Sequence, residues 1–183
     1  MHPRVLDPAH ACLVVVDLQE AYRKHLHEWE RTVERTAVLI GGARMLELPV
    51  LYTEQYPEGL GETVAELHDL LDGATCFEKR TLSALGAPGF ADVLHEFGRR
   101  QVILAGIETH ACISQTVHDL LARGRTVHLP EDALSSRRPF EHAAGLAKLL
   151  ASGAVGGSVE SVLLECLRRA DHPAFKSVQA LLK

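Results

Sequence analysis

The apolar positions of this chain fall into short continuous runs, separated by longer stretches in which apolar residues recur every three or four positions. The run ACLVVV at 11–16 is β-branched and apolar throughout, which is typical of a strand buried on both faces of a parallel sheet. Amphipathic spacing over 30–46 predicts the next helix. The other predicted strands are 49–54, 75–78, 101–105, 126–129 and 154–155, and the other predicted helices are 64–71, 88–97, 110–122, 140–150, 159–169 and 173–182.

Strands that alternate with helices indicate an α/β fold in three layers, with a parallel sheet of six strands between two layers of helices. The 183 residues suit one domain over 1–183, and no repeat, low-complexity segment or linker interrupts the pattern. In such sheets ligands bind at the carboxyl ends of the strands. Polar residues directly after the predicted strands are therefore the first candidates for function.

Composition and charge narrow the classes of partner. With a formal net charge of -5 and no long Lys or Arg run, a nucleic-acid partner is not expected. No segment approaches the roughly 20 apolar residues of a membrane span, and residues 1–7 lack the apolar core of a secretory signal. A cytoplasmic protein that acts on a small-molecule substrate is the expectation. The four cysteines are widely spaced and include no C-x-x-C pair, and in a cytosolic setting they are expected to be reduced thiols.

One cysteine has a setting that suggests reactivity. The segment GIETHAC at 106–112 follows a predicted strand, so Cys112 should lie near the start of the next helix. Free backbone N–H groups and the positive end of the helix dipole meet there, which favours a thiolate and can stabilise an oxyanion. Cys12, Cys76 and Cys166 are expected to be buried as small apolar side chains.

Two further candidates follow predicted strands: Asp17 after the first and Lys79 after the third. A lysine ammonium would stabilise the Cys112 thiolate, and a carboxylate would accept the thiol proton and return it to a leaving group. Each residue also has a structural interpretation. An Asp in this position frequently caps a helix or forms a turn, a Lys is commonly solvated, and a Cys at a helix start is often packed.

Several motifs resemble those of the isochorismatase-like cysteine hydrolases: LVVVDLQE at 13–20, EKRTLSA at 78–84 and AGIETHAC at 105–112. TEQYPEGLG at 53–61 and HPAFK at 172–176 are similar to the subgroup of isochorismatase domain-containing proteins. The resemblance covers essentially the whole chain. It implies a Rossmann-type sheet topology, the catalytic triad Asp17, Lys79 and Cys112, and a homo-oligomer of two or more copies. It also implies a cis peptide between Ile107 and Glu108, and an oxyanion hole built from the backbone N–H groups of Glu108 and Cys112.

Residues near the triad are candidates for binding substrate, although the aromatic ones among them are equally well explained by core packing. The predicted substrate-binding residues are Gln19, Tyr22, Gln55, Tyr56 and Leu82. His110 could line the pocket or face solvent. The loop at 132–137 is interpreted as structural, with Arg137 available to pair with an acid.

No metal and no cofactor are expected. Nicotinamidases of similar fold carry an Asp and histidines after the second strand, but this chain has TEQYP at 53–57. A lone Glu54 is a poor site for a transition metal. His25 and His27 lie among charged residues and are expected to be solvated.

The leading hypothesis is a hydrolase that cleaves a small amide or imide through a thioester on Cys112. Isochorismate hydrolysis attacks a vinyl ether and needs no cysteine, so an intact Cys112 argues against that reaction. The alternative is a catalytically silent isochorismatase-fold protein that binds or assembles. A nucleotide-dependent oxidoreductase is excluded, because DLQ at 17–19 stands where a G-x-G-x-x-G turn would be needed.

Overall fold

The structure is a computed structural model that describes residues 2 and 4–183; Met1 and Pro3, which belong to the amino-terminal stretch considered above, lie outside the described residues. A central sheet contains seven strands in chain order. They are β1 (Ala11–Val16), β2 (Val50–Gln55), β3 (Thr75–Lys79), β4 (Gln101–Ile107), β5 (Thr126–Pro130), β6 (Leu134–Ser135) and β7 (Val155–Gly157).

Eight α-helices connect or flank these strands in the described part of the chain. They are α1 (Trp29–Met45), α2 (Pro57–Leu60), α3 (Ala65–Leu71), α4 (Phe90–Glu96), α5 (Ser114–Ala122), α6 (Pro139–Ala151), α7 (Val159–Leu167) and α8 (Phe175–Leu181). A turn of π-helix, Thr109–Ile113, joins β4 to α5.

Every strand pair in the sheet is parallel, and the strand order is β3-β2-β1-β4-β5-β7, with β6 paired to the end of β4. The chain runs outward from β1 to β3 on one side and from β4 to β7 on the other. The order therefore reverses between β1 and β4, and ligands of open α/β sheets bind at such a point.

Alternate residues of the central strands feed two apolar layers. Leu13 and Val15 pack with α1, α7 and α8 on one face. Val14 and Val16 pack with α4 and α5 on the other face. Because β1 and β4 are buried along their whole length, their continuous apolar runs have the sequence expected of central parallel strands.

Gly106 allows β4 to approach the end of β1. It pairs with Val16 and has a φ of 113°, and a Cβ at this position would lie 2.1 Å from the Val16 carbonyl oxygen. Any side chain would therefore push the two strands apart. Their close approach brings the residues that follow β1 and β4 together.

The three-layer α/β fold with a parallel sheet is confirmed, with several local differences. The loop after the fifth predicted strand contains the two-residue strand β6, and the loop after the second contains the short helix α2. Both elements are too short to show a periodic pattern. Cys76 is exposed, so its expected burial was wrong: β3 is the edge of the sheet, and one side of this edge position has no covering element. Cys12 and Cys166 are buried, as expected.

Among the described residues, no helix combines the length and the apolar character needed to cross a lipid bilayer.

Candidate active site

Asp17 leaves β1 in a left-handed backbone conformation, with a φ of 55°. Its backbone N–H donates to the Thr53 carbonyl at 3.0 Å, and the Thr53 hydroxyl donates to Asp17 Oδ1 at 2.7 Å. The carboxylate is 1% exposed. Because a buried charge is costly unless it is paired and hydrogen-bonded, this carboxylate needs a cation close by.

Lys79, the last residue of β3, supplies that cation. Its Nζ lies 2.7 Å from Asp17 Oδ2 and is as fully buried as the carboxylate. The same ammonium donates to Gln55 Oε1 at 2.6 Å and to the carbonyls of Thr81 and Leu82 at 3.3 and 3.2 Å. These acceptors fix the ammonium and account for its three protons.

Cys112 is the third member of this cluster. It lies in the π-helical turn that follows β4, and its side chain interacts electrostatically with those of Asp17 and Lys79. The Thr116 hydroxyl donates to the Cys112 carbonyl at 2.7 Å, which ties this turn to α5. The structure therefore brings the three predicted catalytic residues together from the ends of three strands.

The protonation state of the thiol differs from the expectation. Burial, followed by the negative charge of Asp17, raises the pKa of Cys112 to about 12, and Lys79 only partly opposes these effects. Burial also raises the pKa of Asp17, although the Lys79 ammonium acts in the opposite direction. The prediction of a resting thiolate is therefore contradicted, because burial and the neighbouring Asp17 carboxylate both favour the neutral thiol. Cys112 rests as a thiol.

Two of the predicted substrate-binding residues, Gln19 and Gln55, support the cluster through hydrogen bonds. Gln19 is completely buried; its Nε2 donates to the carbonyls of Gln55 and Gly61 at 2.9 and 2.6 Å, and its Oε1 accepts from the Gln55 N–H at 2.8 Å. Gln55 in turn accepts from Lys79. Because all the strong hydrogen-bonding positions of Gln19 are used by backbone groups, its assignment to the pocket wall is corrected: it fixes the end of β2.

Tyr56 and Leu82 lie on the outer side of Lys79. Tyr56 is 42% exposed, and the Arg80 guanidinium lies over its ring at 4.1 Å from the centroid. Leu82 is 43% exposed, and it contacts the cluster through its carbonyl. Neither residue lines the cavity described in the next paragraph, so the structure does not place either of them in the wall of a substrate pocket.

A cavity of about 780 Å³ opens beside the cluster. Its lining includes Tyr22, His110 and Glu108, and it is of the size that small-molecule sites have. The Tyr22 phenol lines the cavity and interacts electrostatically with both Cys112 and Asp17, whereas the three cluster residues themselves are not part of the cavity lining. Of the five predicted substrate-binding residues, Tyr22 is the one on this wall. His110 lines the cavity, which favours the interpretation that it lines a pocket over the one in which it only faces solvent.

Glu108 and Arg137 connect the cavity to the turn that carries Cys112. Arg137 donates to the Glu108 carboxylate from its backbone N–H at 2.8 Å and from Nε at 3.0 and 3.1 Å. The expectation that Arg137 pairs with an acid is confirmed. The Ile107–Glu108 peptide bond is cis, and the Glu108 carbonyl accepts from the N–H groups of Ala111 and Ile113 at 2.9 and 3.2 Å.

Helix α6 supports the same turn from the outside. Gly145 faces the backbone of His110, and a Cβ at this position would lie 2.8 Å from the His110 Cα. The His142 ring lies 2.8 Å from the Thr109 hydroxyl. The turn that carries Cys112 is therefore held between the sheet and α6.

Within residues 2 and 4–183, no group of three or more His, Cys, Asp or Glu side chains is arranged to hold a metal ion. His25 and His27 are both exposed, as expected, and His25 also lines the edge of the cavity.

Sequence comparison assigns the family. The family model described as the isochorismatase domain matches residues 11–161. The chain belongs to the isochorismatase family. Isochorismatase domain-containing protein 2A of Mus musculus is 41% identical over 179 residues, covering 96% of this chain and 84% of the mouse protein. Isochorismatase domain-containing protein 1 of Danio rerio is 38% identical over 179 residues, covering 97% of this chain. The chain spans 62% of the length of that zebrafish protein.

Solved structures agree with this assignment. A structure described as the MAR1 ribonuclease of Caenorhabditis elegans superposes with a TM-score of 0.93 at 36% identity, covering 97% of this chain and 92% of that one. The YcaC protein of Escherichia coli, described as an octameric hydrolase of unknown specificity, superposes with a TM-score of 0.90 at 20% identity, covering 97% and 90%. At that identity the second match shows the fold alone. This family member thus has the fold of isochorismatase-like hydrolases.

Sequence reasoning missed part of the cavity wall. Arg138, Glu141 and Leu60 line it, and none of them follows a predicted strand or lies next to a triad motif. The sequence signal for Arg138 and Glu141 was the start of α6 directly after the loop at 132–137, where one turn of helix faces the strand ends.

Proposed function

We propose that this family member hydrolyses a small amide or imide through a covalent thioester on Cys112. The observation that carries the proposal is the buried contact of Asp17 Oδ2 with Lys79 Nζ at 2.7 Å, together with the electrostatic interaction of the Cys112 side chain with both groups. A base, a cation and a nucleophile touch one another beside a cavity of small-molecule size.

The first half of the reaction forms the thioester. Asp17 accepts the proton of the resting Cys112 thiol as sulfur attacks the substrate carbonyl carbon, so a free thiolate never has to accumulate. The raised pKa of Asp17 makes its carboxylate a stronger base for this transfer. Backbone N–H groups of Glu108 and Cys112 receive the oxyanion, and loss of one such donor costs about 2.7–4 kcal/mol of barrier.

The tetrahedral intermediate then expels the amine, which takes its proton from Asp17, and this leaves an acyl group on sulfur and completes the first half. The second half regenerates the thiol. Asp17 then removes a proton from water as the water oxygen attacks the thioester carbon. Carboxylic acid departs, and the sulfur recovers its proton. Lys79 holds the Asp17 carboxylate in place and offsets the charge that develops on sulfur.

The test compares Cys112→Ala, Cys112→Ser and Asp17→Asn with the unchanged protein on a panel of small amides and imides. We expect each variant to lose turnover by on the order of 10³-fold or more. Intact mass spectrometry of the unchanged protein during turnover should show one added acyl group. Cys76→Ser is the matched control, since Cys76 is exposed on the edge strand, and it should turn over normally.

Full turnover in Cys112→Ala would remove the nucleophile from the proposal. If the unchanged protein were inactive on every amide and formed no acyl adduct on Cys112, the silent binding or assembly protein would be favoured. Because the C. elegans structure is named a ribonuclease, an RNA substrate belongs in the same panel. RNA cleavage that survives Cys112→Ala would place that activity outside the proposed site.

Self-association is part of the proposal, and it is supported by the octamer named for the E. coli protein. Light scattering coupled to size-exclusion chromatography should give a mass of at least two chains of 20.0 kDa. A monomer at micromolar concentration would contradict this part.

A further inference from the structure

The cavity beside Cys112 has a cationic side that the reaction above does not use. Arg137 and Arg138, called the arginine wall below, both line the cavity directly after the short strand β6. Ordinary amide hydrolysis by a Cys, an Asp and a Lys requires neither residue. The question is therefore what two guanidinium groups in an open cavity can bind.

The Arg137 side chain is anchored at one edge and free at the other. Its Nε donates to Glu108, whose carboxylate is 8% exposed, while Arg137 itself is 60% exposed. Within the described part of the chain its two Nη groups have no hydrogen-bond partner. A guanidinium held through Nε presents the parallel N–H pair of its far end, and this pair matches the two oxygens of a carboxylate.

Arg138 adds a second positive charge on the same side. Among the residues that the structure describes, its guanidinium forms no ion pair, and no side chain caps the start of α6 at this residue. The 13 residues of α6 direct the positive end of the helix dipole toward the cavity. Glu141, in the first turn of α6, also lines this side of the cavity and forms no ion pair with any residue that the structure describes. Its negative charge complements the same helix dipole.

Tyr22 completes the arrangement. Burial raises the pKa of its phenol to about 12, with smaller contributions from Cys112 and Asp17, so the hydroxyl remains a donor at neutral pH. It interacts electrostatically with Arg137 on one side and with Cys112 on the other. Tyr22 and the arginine wall line the same cavity, so one small molecule can contact both.

We infer that the arginine wall binds a carboxylate of the substrate, so the favoured substrates are amides or imides that also carry a carboxylate. This inference rests on the proposed function, because it names the substrate class of the same site. Arg137 and Arg138 act as specificity-determining residues. The substrate carboxylate lies against their guanidinium groups, and the amide carbon lies at Cys112.

The test uses succinamate and succinamide, which differ only in whether one end is a carboxylate or a neutral amide. We expect the unchanged protein to have a kcat/KM at least about tenfold higher for succinamate, which is the scale of one charge-assisted hydrogen-bonded pair. Arg137→Gln and Arg138→Gln should each reduce this preference through KM, and the double variant should reduce it to below about threefold. Arg123→Gln, an exposed arginine at the end of α5 outside the cavity lining, is the matched control and should keep the full preference.

A purely structural role of Arg137 would give another result. If Arg137 only clamps Glu108, Arg137→Gln lowers kcat equally for both compounds, and the inference is overturned for that residue. Among the residues that the structure describes, the hydrogen bonds and the ion pair of Glu108 with an arginine come from Arg137 and not from Arg138, so Arg138→Gln tests the charge without disturbing the clamp. No preference in the unchanged protein, or a full preference in the double variant, overturns the inference as a whole.

Binding without turnover separates this inference from the proposed function. Calorimetry on Cys112→Ala should give a Kd for succinamate at least about tenfold below that for succinamide, and the difference should shrink when Arg138→Gln is added and fall below about threefold when Arg137→Gln is added as well. If neither amide is hydrolysed but this difference appears, the proposed chemistry fails and the carboxylate site stands. If amides are hydrolysed through Cys112 with no difference in Kd, the chemistry stands and the carboxylate site fails.

Discussion

Replacing Lys79 with methionine tests whether the buried pair at the strand ends carries real charges. Methionine has nearly the same length and volume, so the change removes the ammonium and leaves the packing. Asp17 Oδ2 then loses its partner at 2.7 Å while the carboxylate stays 1% exposed. Breaking a buried ion pair from one side typically costs about 3–5 kcal/mol. For a chain of this length that corresponds to a fall in Tm of roughly 6–20 °C.

The pH dependence of this loss has a defined sign. Burial raises the pKa of Asp17 in the folded protein, and removal of the Lys79 cation removes the main effect that opposes burial. A carboxyl with a raised folded pKa contributes stability that is present at low pH and lost as the pH rises through that pKa. The deficit of Lys79→Met should therefore be largest at pH 7–8 and shrink toward pH 5, because the orphaned carboxyl can take up a proton.

Thermal unfolding and urea unfolding at pH 5, 6, 7 and 8 measure both effects, and Asp17→Asn with Lys79→Met is the matched control. The double variant holds no charge at either position, so it should be more stable than Lys79→Met alone at pH 7. A Tm for Lys79→Met within about 2 °C of the unchanged protein, or a deficit that does not vary with pH, would refute the reasoning that an ionised Asp17 lies buried in this pair.

Four further predictions concern residues in and around this pair. Alkylation of Cys112 by iodoacetamide, followed on its peptide by mass spectrometry, should rise about tenfold per pH unit from pH 7 to 9, since burial raises its pKa to about 12; a plateau below pH 8 would contradict this. Asp17→Asn should accelerate the same alkylation, because the carboxylate contributes to the raised pKa, and unchanged or slower labelling would argue against that contact. Gln19→Ala should lower the free energy of unfolding by about 2–3 kcal/mol, because its hydrogen bonds to the backbone are lost. A change in KM with no change in stability would instead support a substrate-binding role for Gln19. Gly106→Ala should destabilise by more than about 3 kcal/mol, because its Cβ would lie 2.1 Å from the Val16 carbonyl oxygen; a normal melting curve would show that β1 and β4 can separate cheaply.

The features that the sequence predicts well are local ones. Both β1 and β4 are apolar at every position, and the strand-end rule places Asp17, Lys79 and Cys112 on one edge of the sheet. The motifs then indicate the family. Strand ends need no knowledge of side-chain direction, and for this reason the cluster could be predicted before the packing around it.

Properties that depend on the surroundings could not be predicted in this way. The protonation state of Cys112 depends on how deeply the sulfur is buried beside Asp17. The spacing of residues along the sequence does not show how deeply a side chain is buried. Gln19 follows Asp17 closely along the chain, yet its amide hydrogen bonds to the end of β2. The exposure of Cys76 depends on β3 being the edge strand, which the strand order determines and the run of residues does not.

Gly145 has a practical consequence for redesign. The middle of α6 rests directly on the backbone of His110, whereas the first turn of the same helix offers Arg138 and Glu141 to the cavity. A library that randomises the first turn can change which molecules enter without moving the nucleophile. A library that includes position 145 would enrich inactive clones, because even one methyl group there displaces the loop that carries the sulfur.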